Sequence, residues 1–165
     1  MPDRLHARAR QLIAQLGLQP HPEGGHYREI FRSGLQVRRQ PDGLARSALT
    51  SIFFLLPRGA CSRWHRVAQA DEAWHHYEGD PIALHVLLPG ARQAETWLLG
   101  PLGAGHPDAL PARIVPANAW QAAQPLGDYA LVGCSVGPGF EFADFAMARD
   151  LPAAERPAAL DAAFL

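Results

Sequence analysis

Apolar residues recur at helical spacing only near the start of this chain. Leu5, Ala9, Leu12, Ile13 and Leu16 fall on one stripe of a 3.6-residue repeat, with Asp3 available as a cap and Gly17 as a stop. After Pro22 the texture changes to short apolar runs separated by glycine and proline. Runs at 26–32, 46–56, 61–67, 72–78, 81–88, 95–99, 113–116, 120–123, 129–136 and 140–146 read as strands. Residues 100–111 are loop by composition, and the Ala-rich stretch 149–165 reads as a short helix or an arm. The pattern predicts an all-β barrel or sandwich over residues 22–148, preceded by one helix in 1–17 and followed by a C-terminal arm. Nothing in it marks a repeat, a linker or a second domain.

Composition adds limits. At 165 residues the chain is one domain. Such a domain buries roughly two-thirds of its unfolded surface, so its core needs neither metal nor disulfide as a staple. The formal net charge of −1 speaks against electrostatic capture of nucleic acid or an acidic membrane. All 15 basic residues are arginine, which excludes lysine Schiff-base chemistry and a P-loop lysine. Cys61 and Cys134 stand far apart, without the spacing of a zinc knuckle or a disulfide scaffold. Charges interrupt the apolar residues at the N-terminus, and no apolar run approaches a membrane span, so a cytoplasmic protein is expected.

Eight histidines are the surplus that matters, because imidazole titrates near neutrality and ligates metals. The informative stretch is 59–80, GACSRWHRVAQADEAWHHYEGD. Read as two antiparallel strands joined by a turn over 67–71, it puts Cys61, Arg63 and His65 on one face of the first strand. It puts Glu72, Trp74 and His76 on one face of the second. His65 and Glu72 then converge on one cavity, either as metal-compatible N and O donors or as a general base with its carboxylate. Arg63 is suited to a bidentate phosphate or carboxylate contact, Trp74 to a pocket wall and Gln121 to a pocket donor. Glu23, Tyr27 and Glu29 are assigned to the pocket or to a seam between subunits.

The same stretch resembles the first cupin motif, G-x5-H-x-H-x3,4-E-x6-G, through Gly59, His65, Glu72 and Gly79. The second motif, P-x-G-x-x-H, is echoed by residues 116–121, PANAWQ. Val67 and Gln121 stand where two motif histidines belong. HPEGGHYRE at 21–29 and PGFEFADF at 138–145 further resemble one cupin family over nearly the whole chain. The resemblance implies a double-stranded β-helix, a jelly-roll barrel like that of RmlC, assembled as a homodimer. It implies a barrel-interior site that in cupins often holds Fe, Mn, Ni or Zn. Here the metal set would be His65, Glu72, His76 and Gln121, and no metal at all is the alternative. The family is similar in structure to dTDP-sugar 3,5-epimerases, whose pocket histidine acts as base, and His65 matches that base by motif position.

Three functions follow. The leading one is an isomerase- or epimerase-type enzyme acting on a sugar or other small metabolite. In it His65 and Glu72 are catalytic, and Arg63, Trp74, Gln121 and Tyr27 bind substrate. The alternatives are a metal-dependent dioxygenase or hydrolase, and a non-catalytic module that binds a small-molecule ligand.

Overall fold

A computed structural model describes residues 5–103 and 105–165 of the chain. Helix α1 (Ala7–Leu16) ends at Gly17, whose φ of 63° is the left-handed value that glycine adopts without strain. Its N-cap is His6, which accepts from the Arg8 backbone N–H at 3.3 Å. Asp3, the expected cap, lies outside the described residues. The helix packs Ala9 and Leu12 onto Leu55 and Leu131 of the sheet beneath. Arg8 then clamps it down by donating twice to Glu78, at 2.6 and 2.9 Å.

The strands are β1 (Gln19–Pro20), β2 (His26–Arg32), β3 (Gln36–Arg38), β4 (Ala45–Ser47), β5 (Thr50–Pro57), β6 (Ser62–Val67) and β7 (Asp71–Gly79). They continue as β8 (Ile82–Leu87), β9 (Glu95–Leu99), β10 (Ala112–Val115), β11 (Trp120–Pro125), β12 (Tyr129–Gly137) and β13 (Phe145–Met147). A six-stranded sheet runs β1-β2-β5-β12-β7-β10, and a five-stranded sheet runs β13-β6-β11-β8-β9. Their inner faces close over Phe54, Leu56, Trp74, Leu84, Val86, Val132 and neighbours, the jelly-roll core that alternating apolar positions require. β3 and β4 form a separate hairpin.

Three expected elements differ. The run 46–56 is two strands, because Ala48 donates to Leu35 and Leu49 accepts from Ser33, which switches the chain from β3 to β2 as partner. The run 140–146 is a 3₁₀ turn, Phe142–Asp144, followed by β13. Asp144 is pinned there by Arg39 and Arg46 at 3.0 and 2.7 Å. Most consequentially, β6 and β7 are not a hairpin. They belong to opposite sheets, and residues 68–70 carry the chain across the barrel end.

The C-terminal arm runs through 3₁₀ turns over the outer face of the smaller sheet. Phe164 packs there with Trp64, Leu87, Trp120 and Ala122, and the Trp64 indole N–H donates to the Asp161 carbonyl at 3.0 Å. Among the described residues no helix is long and apolar enough to cross a membrane. Removing the buried Phe164 ring leaves a cavity under the arm. Phe164→Ala is expected to cost about 3 kcal/mol of unfolding free energy, read as a lower urea midpoint with unchanged slope.

Candidate functional site

A cavity of about 300 Å³ opens between the sheets, flanked by the segment 140–145. Its floor carries Glu23, His65, Glu72, Cys134, Val67 and Val136. Phe54, Tyr27, Phe140, Phe142 and Phe145 wall it, while Gln19, Arg28, Glu29, Arg32 and Glu141 stand around its exposed mouth.

His65 is 2 % exposed. Its Nδ1–H donates to the Arg63 carbonyl at 2.7 Å. A carbonyl can only accept, so the proton stays on Nδ1 and the Nε2 lone pair faces the cavity. Glu23 Oε2 lies 3.3 Å from that Nε2 and 3.5 Å from His21 Nδ1. The Ser62 hydroxyl donates to Glu23 Oε1 at 2.8 Å. Burial holds the His65 imidazole below its ordinary pKa and pushes Glu23 up to about 8. The contact therefore joins neutral partners, with the carboxyl O–H directed at Nε2. His21 accepts the Glu23 backbone N–H on Nδ1 at 3.2 Å, and burial lowers its pKa to about 4, so it too stays neutral.

Glu23 reaches the floor because of the two glycines behind it. Gly24 has φ +115° and Gly25 φ +68°. A Cβ on Gly24 would sit 2.0 Å from the Cys61 carbonyl oxygen, so only glycine lets this turn press against β6. The Arg63 N–H then donates to the Glu23 carbonyl at 2.8 Å and locks the turn in place.

Glu72 faces His65 from the other sheet. Gln121 Nε2 donates to its Oε2 at 2.5 Å, and the Trp74 indole N–H donates to Gln121 Oε1 at 2.9 Å. The Cys134 thiol is a further hydrogen-bond partner. Burial lifts Glu72 to about 7, against the hydrogen bonds from Gln121 and Cys134. Near neutrality Glu72 is thus poised between its two forms.

Of the expected site residues, His65, Glu72 and Tyr27 line the cavity, as do Glu23 and Glu29, which were assigned to the pocket or the seam. Trp74 and Gln121 do not line it; they lie behind Glu72 and hold it. Arg63 does not line it either. β6 carries a bulge against β11, where Gln121 pairs with His65 but Ala123 pairs with Ser62. That extra residue breaks strict alternation and brings Ser62, not Arg63, beside His65. His76 is also outside the lining, and its Nε2 bonds the Asp80 carbonyl at 3.1 Å.

The four residues expected to hold a metal therefore do not converge: both ends of the Gln121 amide are already bonded and His76 is turned to Asp80. Among the described residues no three His, Cys, Asp or Glu side chains are grouped to hold a metal ion. His21 and Cys134 line the cavity beside Glu23 although the motif spacing did not single them out, and Ser62 stands behind Glu23. The pair of glycines after Glu23 was the one available signal. In the second motif Asn118 takes the glycine position with φ 67°, a conformation asparagine tolerates, and its Oδ1 accepts from Gln69 N–H at 3.1 Å.

Residues 10–148 match the family model described as Cupin superfamily (DUF985), so the chain belongs to the cupin superfamily. Among solved structures it is similar to a hypothetical protein from Leishmania major, at 33% identity and TM-score 0.75, covering 84% of this chain and 85% of that one. A protein from Shewanella oneidensis is similar at 34% identity and TM-score 0.73, over 84% and 83% of the two chains. A double-stranded β-helix protein from Klebsiella pneumoniae shares the fold, at 13% identity and TM-score 0.52 over 81% and 91%. No curated protein matches the chain.

Both floor carboxyls have raised pKa values, so each stabilises the fold most while protonated and loses that contribution as pH rises through its folded value, about 7 for Glu72 and about 8 for Glu23. His21, lowered to about 4, acts in the opposite sense, and its stabilisation falls only as pH drops below the ordinary histidine value. Between pH 6.5 and 8 the carboxyls dominate. The melting temperature should fall across that window, and Glu23→Gln should remove most of the fall. Calorimetry at a series of pH values checks it.

Proposed function

We propose that this cupin is a proton-transfer enzyme of isomerase or epimerase type, acting on a small carbonyl metabolite or sugar. The observation that carries the reading is the pairing, across one cavity, of a neutral imidazole whose Nδ1 is fixed as the donor and a buried carboxyl with a pKa of about 7. Glu72 is tuned close to neutral pH, which is where general acid–base catalysis is most efficient, and burial keeps His65 in its neutral, basic form. His65 Nε2 takes a proton from the carbon beside the substrate carbonyl. Glu72, on the opposite sheet, gives one to the developing enolate oxygen. Return of that proton from His65 to the neighbouring carbon, with Glu72 taking one back from the substrate's other oxygen, completes an isomerisation. Delivery from the Tyr27 hydroxyl to the opposite face, with Glu72 taking back the enol proton and His65 and Tyr27 then equalising through solvent, completes an epimerisation. The Glu23 carboxyl, 3.3 Å from Nε2, gives up its hydrogen bond to the ring as substrate enters and so frees the lone pair. Tyr27 offers a hydroxyl on the wall.

In deuterated water the protein is expected to exchange hydrogens next to the carbonyl of a substrate drawn from a panel of keto sugars and 2-oxo acids. His65→Ala and Glu72→Gln should each slow exchange by 10²-fold or more while circular dichroism stays unchanged. A ligand that binds and is recovered with no exchange would reduce the protein to a binding module and overturn this reading.

A second copy of the chain belongs to the same proposal. Phe31, Leu35, Val37, Leu44 and Leu49 are exposed at 52%, 75%, 37%, 47% and 40%. All lie on or beside the β3–β4 hairpin and the end of β2, an apolar grouping suited to burial against a partner. Light scattering after size exclusion should give twice the chain mass, and Leu35→Glu with Leu49→Glu should halve it. A monomeric mass for the unaltered protein rejects the dimer.

A further inference from the structure

The floor of the cavity is rich in acceptors and has no positive charge of its own. Glu23 and Glu72 are 6% and 7% exposed, and both line the cavity. Around Glu23 stand His21 on its own turn, Ser62 and His65 on β6, Glu72 on β7 and Cys134 on β12. Among the described residues no guanidinium pairs with either carboxyl, and the ion-pair contacts of Glu23 are to the two histidines. Gln121 occupies Oε2 of Glu72. Among the described residues no N–H or O–H donor bonds Oε1, so that oxygen is the one left for the cavity.

The rim and the wall lean the same way. Glu29 and Glu141 share one guanidinium, that of Arg32, at 2.9 and 2.8 Å. Arg28 registers with Phe53 and its Nη1 donates to the Leu16 carbonyl at 3.1 Å, which directs its charge to the helix-covered face of the sheet and away from the floor. Phe140, Phe142 and Phe145 form a mutual edge-to-face cluster with centroids 5.1 to 6.1 Å apart, and Phe145 lies 5.5 Å from the His65 ring. Such rings take an apolar body, and their faces attract a cation. The volume, about 300 Å³, suits a compact ligand.

Burial without a counter-ion is what keeps the proton on Glu23 near neutral pH, with its O–H on His65 Nε2. A ligand that brings a positive charge to the floor supplies the missing counter-ion. Glu23 then ionises, its proton passes to solvent, and its carboxylate turns from the imidazole to the ligand. The same event frees the Nε2 lone pair. Since Glu23 Oε2 is only 3.3 Å from Nε2, the charge belongs on an atom bonded to the carbon that His65 addresses.

We propose that the cavity takes a small α-amino ketone with an apolar body, its ammonium on Glu23, the adjoining C–H at His65 and its carbonyl oxygen at Glu72. This names the substrate class of the proton-transfer reading and rests on it. All three contacts fall on the floor, and the apolar body lies along the phenylalanine wall.

Phenacylamine, its hydroxyl counterpart 2-hydroxyacetophenone, and phenethylamine, which lacks the carbonyl, serve as probes in isothermal titration calorimetry after dialysis against EDTA. At about pH 6.5 both amines are expected to bind roughly 10-fold or more tighter than the hydroxy ketone and to release close to one proton each, read from the heats in phosphate and in ACES buffer. Glu23→Gln should abolish both the preference and the release, while Glu141→Gln at the rim should leave the release unchanged. Equal binding of amine and hydroxy ketone, amine binding without proton release, a release that follows Glu141 instead of Glu23, or a preference that needs added Zn²⁺ would each overturn the assignment. Exchange of the phenacylamine methylene hydrogens in deuterated water, read against a no-protein control, keeps the two ideas separate. Glu23-dependent amine binding without protein-catalysed exchange upholds the ligand class and removes the proton transfer. Exchange of 2-hydroxyacetophenone with no preference for the amines does the reverse.

Discussion

Glu23 and Glu72 sit where water is nearly excluded, and an uncompensated carboxylate there costs several kcal/mol. Much of the surrounding structure answers that constraint. Glu23 keeps its proton, takes a hydroxyl hydrogen bond from Ser62 and faces two neutral imidazoles. Glu72 is braced by an amide whose other end is bonded to a buried indole. Had Gln121 been a histidine, as in the common cupin motif, the brace could not both donate to Glu72 and accept from Trp74 while one of its nitrogens ligated a metal. The amide thus makes sense as part of a hydrogen-bonded carboxyl site rather than as a weakened metal ligand.

The division of labour between the two sheets follows from the same constraint. β6 supplies the imidazole, with its bulge and the Glu23 turn fixing the ring through backbone groups. β7 supplies the carboxyl, and β11 reaches across from the imidazole's own sheet to hold it. The outer faces serve stability: α1 covers Leu55 and Leu131, and the C-terminal arm covers Trp64 and Trp120. Trp64 adjoins His65 and Trp120 adjoins Gln121, so both tryptophans at the back of the small sheet are next in sequence to a residue that builds the site.

The barrel, its terminal helix and the inward pairing of His65 with Glu72 were legible in the chain because they rest on periodicity and motif spacing. Strict alternation misled at β6, where one extra residue swaps Arg63 for Ser62, and a bulge leaves no mark in the hydrophobic pattern. It also misled at His76, whose inferred face was right for a hairpin strand but whose ring is captured by the Asp80 carbonyl at the strand's end. The β6–β7 connection looked like a hairpin because its turn is short; only the packing of two sheets reveals that a short turn can cross between them. The part played by Glu23 and His21 depends on a turn conformation that two adjacent glycines permit but do not by themselves specify.

The crossing at residues 68–70 has a mechanical consequence. His65 and Glu72 are seven positions apart along the chain yet project from opposite walls, so the gap between them measures the spacing of the walls themselves. The pair behaves as a caliper closed on the core. A side chain enlarged by one methylene deep between the sheets, far from either residue, would open the caliper before it unfolded the barrel, because packed interiors transmit displacement rather than absorb it. The separation of this pair is thus a finer gauge of core packing than the melting point.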